Sequence, residues 1–211
     1  MRDLPVFTTE NGVGSLILSQ IPYLGCAYVR VQDASCIEAF LKECADLCRA
    51  FGAEHAYATA DQDLGYPLFT SVVLMQAMKS SIPDTDAAVW PVQPETLSYW
   101  QKIYNDNVRK VPNGAWMTDA QAQTMLHSGG GYFVHKDGKL IGNGWVEGNK
   151  LLWVCSTERG NGASVVSALK KTVHQDTITL EVANTNMQAW KLYKRLGFVP
   201  VSNIANWYKI L

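Results

Sequence analysis

The segment LLWVCSTERGNGASVVSAL, residues 151–169, combines features that decide how the chain folds around it. Its apolar beginning predicts a strand, its end predicts a helix, and two glycines lie between them. A strand that enters a helix through a glycine turn presents several backbone N–H groups at the positive end of the helix dipole. The segment therefore predicts an anion-binding turn, with phosphate as the expected guest.

Three residues of this turn favour a phosphate. Gly160 and Gly162 let the backbone approach an anion without obstruction by a Cβ atom, and Arg159 can add a charge-assisted contact. The turn does not match the GxxxxGK[ST] loop of nucleoside triphosphatases, and it lacks the full GxGxxG of dinucleotide folds. A plain connection between a strand and a helix stays open as the alternative.

The composition indicates a soluble globular protein whose partner is small. Of the 211 residues, 47% are apolar, which is enough for the core of one sizeable domain or of two small ones. The 18 basic and 19 acidic side chains nearly cancel. The net charge therefore gives no reason to expect nucleic acid or an anionic membrane as a partner.

The apolar runs and the cysteines indicate a reduced, cytoplasmic protein. No run approaches the roughly 20 residues that a membrane-spanning helix needs, and the N-terminal MRDLPVFTTENG lacks the apolar core of a signal peptide. The five cysteines form no CxxC pair, which favours free thiols over disulfides or a zinc site. We expect Cys44 and Cys48 to pack in the core, with a redox or metal role as the alternative.

The pattern after residue 86 predicts a mixed α/β domain. The strand AAVWPV precedes a helix that opens at Pro94, and a second helix begins at Thr118 or Asp119 and ends at a triple glycine. Three antiparallel strands then lead into the glycine turn. After the turn come a helix, the strand TITLEVA, a helix that stops at Gly197, and two closing strands, FVPV and NWYKIL.

The preceding part of the chain predicts a hairpin, a helix and a strand. Residues 13–20 and 26–32 predict two strands joined by IPYLG. Apolar positions over residues 36–51 recur every three or four residues, which predicts an amphipathic helix that ends at Gly52. The strand HAYATA follows, and DLGYPLFTSVVLMQAMKSS predicts a loop and a helix.

Two motifs carry a resemblance to a known family. The first is the turn Arg159-Gly160-Asn161-Gly162-Ala163-Ser164, in which Ser164 replaces a smaller residue, after a strand whose Ser156 stands where a proline is often found. The second lies about two dozen residues later and comprises Leu180, Val182, Asn186, Ala189, Leu192, Tyr193, Gly197 and Phe198. Together they resemble the acetyl-CoA loop and the following motif of the Gcn5-related N-acetyltransferase (GNAT) family.

The resemblance covers residues 86–211 and implies the α/β GNAT fold, a mixed central sheet with two splayed parallel strands, flanked by helices. The family's pantetheine arm lies in the gap between those strands, which implies backbone contacts with Val154, Cys155 and Ser156. Asn186 is expected near the pantetheine or the substrate. The pyrophosphate of acetyl-CoA is expected on the N–H groups of the turn, formed by Arg159, Gly160, Asn161, Gly162, Ala163 and Ser164.

Acetyl transfer to an amine needs a neutral nucleophile, a polarised carbonyl and a proton for the leaving thiolate. The resemblance implies that Tyr193 supplies the proton, and packing of its ring in the core is the alternative. A backbone N–H near Cys155 or Ser156 can polarise the carbonyl. The strand KLLWVCS lacks the glutamate that some family members carry, so the general base stays open among a water relay, Glu147, Glu181 and His135.

Two further residues could contribute to the reaction. A thiol beside a helix N-terminus has a lowered pKa, so Cys155 could form an acyl-enzyme, although direct transfer is the habit of the family. Trp116 lies between the first two helices of the domain, where family members bind the acceptor. It could line the acceptor pocket, and a place in the core is the alternative.

The first 85 residues carry a similar order of strand, loop, helix and strand. Their loop, VQDASC, has no glycine and places Asp33 where a phosphate would come, so we do not expect it to bind the cofactor. We interpret residues 1–85 as a degenerate, cofactor-free GNAT-like half and residues 86–211 as the catalytic domain, with a boundary in the turn-like segment 80–87. An unrelated α/β extension is the alternative.

The resemblance favours an enzyme that moves an acetyl group from acetyl-CoA to a primary amine of a small molecule, an amino acid or a peptide. Direct transfer would pass through a tetrahedral intermediate. A catalytically inactive CoA-binding or regulatory module of the same fold is the alternative, and transfer of a different acyl group is a third hypothesis. We expect a monomer or a homodimer without metal, nucleic acid or membrane partner.

Overall fold

The computed structural model describes residues 2–211, which form a mixed α/β arrangement. The strands are β1 Leu4–Thr8, β2 Gly12–Ile17, β3 Cys26–Ala34, β4 His55–Thr59, β5 Leu68–Met78, β6 Ala88–Pro91, β7 Gly131–Lys136, β8 Lys139–Glu147, β9 Lys150–Ser156, β10 Thr177–Ala183 and β11 Val199–Lys209. The α-helices are α1 Ile21–Leu24, α2 Ile37–Ala50, α3 Leu97–Val108, α4 Asp119–Ser128, α5 Gly162–Leu169 and α6 Met187–Arg195. Within residues 2–211, no helix is both long and apolar enough to cross a bilayer.

The chain forms two compact units. The first comprises the described residues up to Val72 together with Asn203–Leu211, and the second comprises Val73–Ser202. The boundary expected at residues 80–87 lies within the second unit, so the units do not divide where the sequence suggested. The last residues of the chain also belong to the first unit, which the linear order of the predicted elements did not indicate.

Lysine side chains explain why residues 80–87 belong to the second unit despite their linker-like composition. Lys171 Nζ donates to the carbonyl oxygens of Thr85 and Ala87 at 2.7 and 2.9 Å. The buried Lys170 donates to the carbonyl oxygen of Ile82 and forms an ion pair with Asp84 at 2.7 Å. These bonds satisfy backbone acceptors that a free linker would leave to water.

In the first unit the neighbouring strands follow the order β1-β2-β3-β4-β11. The predicted hairpin is confirmed, because β2 and β3 pair antiparallel from Gly12↔Ala34 to Ile17↔Tyr28. The connection IPYLG forms the short helix α1 and ends at Gly25, which is left-handed with φ +67°. The strand β1 was not predicted; it contains Pro5 and lies at the edge of the sheet, where proline is tolerated.

The predicted amphipathic helix is α2, and it covers the core of the first unit. Its apolar side chains Phe40, Leu41, Cys44 and Cys48 are fully buried, which confirms the core packing expected of the two cysteines. Burial raises the pKa of Cys44 to about 12 and that of Cys48 to about 11, so both remain protonated thiols near neutrality. Among the described residues no group of His, Cys, Asp and Glu side chains is arranged to hold a metal ion.

In the second unit the strand order is β5-β10-β9-β8-β7-β6. Strands β7 to β9 form the predicted antiparallel meander, and β6 pairs antiparallel with β7 at its edge. Helix α5 connects β9 to the parallel strand β10. One core cluster joins α5 and α6 to the strands and includes Val166, Leu169, Ile178 and Leu180. A second cluster joins α3 and α4 to the meander around Trp100.

Two predicted elements are wrong. Residues 68–78, expected to be a loop and a helix, form the strand β5, in which Met75 and Ala77 are buried and alternate with less buried neighbours. This period of two is the signature of a strand, and the dense apolar run concealed it. The chain also closes with the single strand β11 and not two, and Pro200 lies near its beginning, a place where a strand tolerates proline.

Gly142 of β8 allows α5 to pack closely on the meander. A Cβ atom at this position would lie 2.3 Å from the carbonyl oxygen of Cys155 and 2.6 Å from Val165 Cγ2. The first of these is a backbone atom of β9, so side-chain rotation cannot relieve the clash. Gly142 thus holds β9 and α5 at their observed separation.

We expect Gly142→Ala to lower the free energy of unfolding by about 1–3 kcal/mol, because the added methyl group overpacks this interface. Urea denaturation followed by circular dichroism measures the change. Gly148→Asn is the control, since Gly148 has φ +57° and open space around it, and asparagine tolerates that conformation. Equal stabilities of the Gly142 variant and the parent chain would show that α5 is not closely packed here.

Candidate functional site

The parallel strands β9 and β10 separate shortly after they begin. They pair only at Thr179↔Lys150 and Leu180↔Leu151, so the rest of β9 has no ladder partner on that side. The pairing of β8 with β9 skips a residue between Leu151 and Trp153, which makes Leu152 a bulge at the point of separation. A bulge bends a strand and increases its twist, so it directs the end of β9 away from β10.

A second parallel pair, in the first unit, shows no such gap. Strands β3 and β4 pair continuously from Cys26↔His55 to Arg30↔Thr59, over the whole length of β4. Both pairs belong to a pattern of strand, helix and strand, but only β9 and β10 separate and leave an open strand edge. The gap is therefore a specific feature of β9 and β10.

The turn that follows β9 places backbone N–H groups at the mouth of this gap. Thr157 fastens its beginning, since its N–H and its hydroxyl donate to the carbonyl oxygens of Ile141 and Leu140, each at 3.0 Å. Gly160 has φ +101°, a conformation that favours glycine. The N–H groups in the first turn of α5 have no acceptor within the helix. The side chain of Asn161, which precedes α5, does not cap them either.

A cavity of about 290 Å³ lies where the gap, the turn and α6 meet, and we call it the strand-gap cavity. It is lined by the end of β9, by the turn, by one face of α6 and by the chain after α3. Its lining residues are Asn107, Lys110, Val111, Trp153, Val154, Cys155, Ser156, Gly160, Gly162, Ala163, Asn186, Gln188, Ala189, Leu192, Tyr193 and Arg195.

The strand-gap cavity contains most of the site residues expected from the sequence. Val154, Cys155, Ser156, Gly160, Gly162, Ala163, Asn186 and Tyr193 line it, whereas Arg159, Asn161 and Ser164 do not. Arg159 is an exposed residue of the turn, and Asn161 and Ser164 are half-buried beside it. The roles assigned to all these residues stay predictions.

Other lining residues were not predicted. Asn107, Lys110 and Val111 lie at or after the end of α3, and Gln188 and Arg195 lie on α6. The spacing of Gln188, Leu192 and Arg195 places them on one face of α6, a signal that the sequence contains. No local signal marks Lys110, because only the folding of the chain after α3 brings it to the end of β9.

Tyr193 is held in a buried position at the wall of the cavity. Its side chain is 8% exposed, and its ring lies 5.7 Å from that of Phe198. Burial, with a smaller contribution from the Cys155 thiol, raises the pKa of Tyr193 to about 12. The phenol is therefore a neutral proton donor at ordinary pH, and its place in the core does not exclude a role in the cavity.

Asn186 has a structural role that the sequence did not indicate. Its side-chain oxygen accepts from the N–H of Ala189 at 3.3 Å and so caps the beginning of α6. The cap fixes the start of the helix that carries Tyr193. The side-chain amide nitrogen of Asn186 is left available to the cavity.

Cys155 does not have the lowered pKa expected beside a helix N-terminus. Burial raises the pKa of its thiol to about 11, and the positive charge of Lys110 opposes this only in part. Desolvation of the thiolate therefore outweighs the effect of the nearby cation. A protonated thiol is a poor nucleophile, which argues against the acyl-enzyme route.

The three candidates for the general base lie outside the strand-gap cavity. Glu181 forms an ion pair with Lys150 at 2.5 Å, at the opposite end of β9, and Glu147 pairs with Lys150 in the register of β8 and β9. His135 belongs to another depression, beside Lys136 and Trp90. Among residues 2–211, neither a carboxylate nor an imidazole lines the strand-gap cavity.

The segment between α3 and α4 is fixed above the cavity by hydrogen bonds. The buried side chain of Asn105 donates to the carbonyl oxygen of Met117 at 3.0 Å and accepts from its N–H at 2.9 Å. The Trp116 ring lies under the Arg109 guanidinium, at 4.9 Å, and does not line the cavity. The tryptophan that does so is Trp153, whose Nε1 donates to the buried Asn143 at 3.2 Å.

No protein-family model matches the sequence, and no curated protein matches it. Solved structures match its fold. A functionally unknown conserved protein from Staphylococcus epidermidis matches with a TM-score of 0.60 and 10% identity over 98% of this chain and 93% of its own. A GCN5-related N-acetyltransferase from Anabaena variabilis matches with a TM-score of 0.64 and 12% identity over 94% of this chain and 59% of its own. A tandem GNAT protein from the clavulanic acid biosynthesis pathway matches with a TM-score of 0.50 and 14% identity over 94% of this chain and 78% of its own.

The chain therefore has the fold of the GCN5-related N-acetyltransferases, and the resemblance inferred from the two motifs is confirmed at the level of the fold. Identities of 10 to 14% leave the substrate and the roles of single residues to the geometry of the site.

We expect Cys155 to react with iodoacetamide at pH 8 at least about 100-fold more slowly than the exposed Cys36, since a buried thiol with a pKa of about 11 is only about 0.1% thiolate there. The rate should rise about tenfold per pH unit up to about pH 11. Peptide mass spectrometry of the alkylated chain measures both. Rapid alkylation of Cys155 at pH 7 would restore the acyl-enzyme route.

Proposed function

We propose that the protein transfers an acetyl group from acetyl-CoA to a primary amine of a small molecule, an amino acid or a peptide. One observation supports this most strongly: the open edge of β9, the unpaired N–H groups of α5 and the neutral phenol of Tyr193 all border one cavity. Each of these features serves a different part of the reaction.

The residues present suit acetyl-CoA. The backbone of Val154, Cys155 and Ser156 would bond to the pantetheine arm as a further strand would. The first turn of α5 would receive the pyrophosphate. Gly162 lets this turn lie against α6, since a Cβ atom there would lie 2.9 Å from Leu192 Cδ2. Arg159, Asn161 and Ser164 would contribute from the outer side of the turn.

Direct transfer can be written with this chain's own groups. The neutral amine attacks the thioester carbonyl, and a C–N bond forms in a tetrahedral intermediate whose oxyanion accepts from a backbone N–H near the end of β9. The C–S bond then breaks as Tyr193 gives its proton to the sulfur, and the phenolate regains a proton from solvent. The proton of the amine leaves through water, because no base lines the cavity in the described part of the chain.

The lack of a base in the cavity also favours the second candidate, a CoA-binding module of the same fold that has lost turnover. Such a module needs the open strand edge and the glycine turn but no proton donor. The two functions therefore differ in what Tyr193 does. A third candidate, transfer of a larger acyl group, would use the same residues with a different fit near Asn186 and Trp190.

The first unit fits the hypothesis of a degenerate, cofactor-free GNAT-like half. Its parallel strands β3 and β4 are closed, so no edge is left for a pantetheine arm. Asp33, on β3, would repel a phosphate. The likeness to a protein described as a tandem GNAT is compatible with such a duplication.

We expect Gly162→Asp to weaken coenzyme A binding at least about tenfold more than Gly162→Asn does. The two side chains have nearly the same shape and both displace Leu192, so the difference isolates the charge. Aspartate also suits the first turn of a helix, which keeps the variant folded. Isothermal titration with coenzyme A measures the dissociation constants, and equal affinities would place the pyrophosphate elsewhere.

We expect Tyr193→Phe to lower kcat by a factor of about 10² to 10⁴, the usual contribution of a proton donor, with the affinity for coenzyme A changed less than about twofold. Thiol release with acetyl-CoA and an accepted amine measures the rate. Tyr99→Phe is the control, because Tyr99 is an exposed residue of α3 outside the cavity. An unchanged kcat would remove the acid role and leave the binding module as the better account.

A further inference from the structure

The strand-gap cavity carries only positive charge. Among its lining residues Lys110 and Arg195 are charged, and no aspartate or glutamate is present. Within residues 2–211 neither cation forms an ion pair, although five other lysines or arginines do: Arg49, Lys102, Lys136, Lys150 and Lys170. The side chains that line the cavity therefore favour a negatively charged ligand.

The two cations lie on different sides of the cavity. Arg195 shares a face of α6 with Leu192, and Leu192 lies against Gly162 of the glycine turn. This places Arg195 on the side of the proposed pyrophosphate. Lys110 instead follows α3 and lies near the end of β9, where its charge acts on the Cys155 thiol.

Hydrogen bonds hold the backbone around Lys110, an exposed residue whose side chain lines the cavity. The N–H of Lys110 donates to the carbonyl oxygen of Asn107 at 3.0 Å, and that of Val111 donates to Val108 at 2.9 Å. Tyr104 and Asn105 fasten the following residues through Ala115 and Met117. Lys110 thus lines the cavity from a hydrogen-bonded turn and has no ion-pair partner among residues 2–211.

We propose that Lys110 binds the carboxylate of the acceptor, so that the amine acetylated here belongs to an amino acid or to another small amine that carries a carboxylate. This inference rests on the proposed function and deepens it. Polyamines and other polycations are disfavoured, since they would bring further positive charge beside Lys110 with no acidic side chain to receive it.

The charge of Lys110 would also help a site that has no general base among its lining residues. A positive charge beside an amine favours the deprotonated form of that amine, which is the form that attacks the thioester. Lys110 would therefore orient the acceptor and help to keep its amine neutral, while water carries the proton away. Its ion pair with the acceptor is partly exposed, so we expect a modest effect on affinity and a larger one on the choice of acceptor.

The test uses pairs of acceptors that differ only in the carboxylate: alanine with ethylamine, leucine with isoamylamine, and phenylalanine with phenethylamine, together with spermidine. We expect kcat/KM to be at least about tenfold higher for the accepted amino acid than for its matched amine, and spermidine to be a poor acceptor. Lys110→Gln should remove this preference through KM, and Lys110→Glu should reverse it in favour of the amines. Lys191→Gln, on an exposed part of α6, should leave the preference unchanged.

The affinity for coenzyme A, measured by titration, separates failure of the role assigned to Lys110 from failure of the proposed acetyl transfer. If amines without a carboxylate are acetylated better by the parent chain, the acceptor assignment is wrong and the proposed transfer stands. If Lys110→Gln weakens coenzyme A about tenfold and keeps the acceptor preference, Lys110 belongs to the cofactor site and the inference fails. If coenzyme A binds and no acceptor of the panel releases thiol, both the proposed transfer and this inference are overturned.

Discussion

The separation of β9 from β10 is the constraint on which the rest of the site depends. From Leu152 onwards, the peptide groups of β9 that face β10 have no partner in a parallel ladder. The bulge at Leu152 gives the physical cause, since an extra residue bends the strand. Helix α5 borders the cavity at this gap, and Gly142 lets the helix lie close to β8. The cavity thus depends on this irregularity of pairing together with the close packing of α5 that Gly142 permits.

Burial determines the chemistry of the two titratable groups beside the gap. It raises the pKa of Cys155 to about 11 and that of Tyr193 to about 12, so both stay protonated near neutrality. For the thiol this removes nucleophilic character, whereas for the phenol it preserves the proton that a leaving thiolate needs. The same low polarity therefore argues against an acyl-enzyme at Cys155 and is compatible with the proposed direct transfer.

Much of the fold could be predicted because its signals are local. The glycine turn, the capped helix α4 and the meander are encoded by turn residues and periodicity, and two motifs sufficed to identify the fold. Strand β5 was missed because a dense apolar run conceals its period of two. The division into units could not be predicted, since it depends on distant contacts such as that of Lys171 with Thr85. In the site, residues on α6 follow from helical spacing, but Lys110 reaches the cavity only through the folding of the segment between α3 and α4.

Two parallel pairs, β3 with β4 and β9 with β10, show why a motif is an incomplete predictor of a binding site. Both pairs follow a strand, helix and strand pattern, yet β3 and β4 are closed over five residue pairs and β9 and β10 over two. Glycines in the turn allow an anion to approach, but only the loss of pairing exposes the edge along which an extended ligand can lie. Because side-chain periodicity does not record where a parallel register ends, the capacity to bind such a ligand depends on a property of the sheet as much as on the residues of the turn.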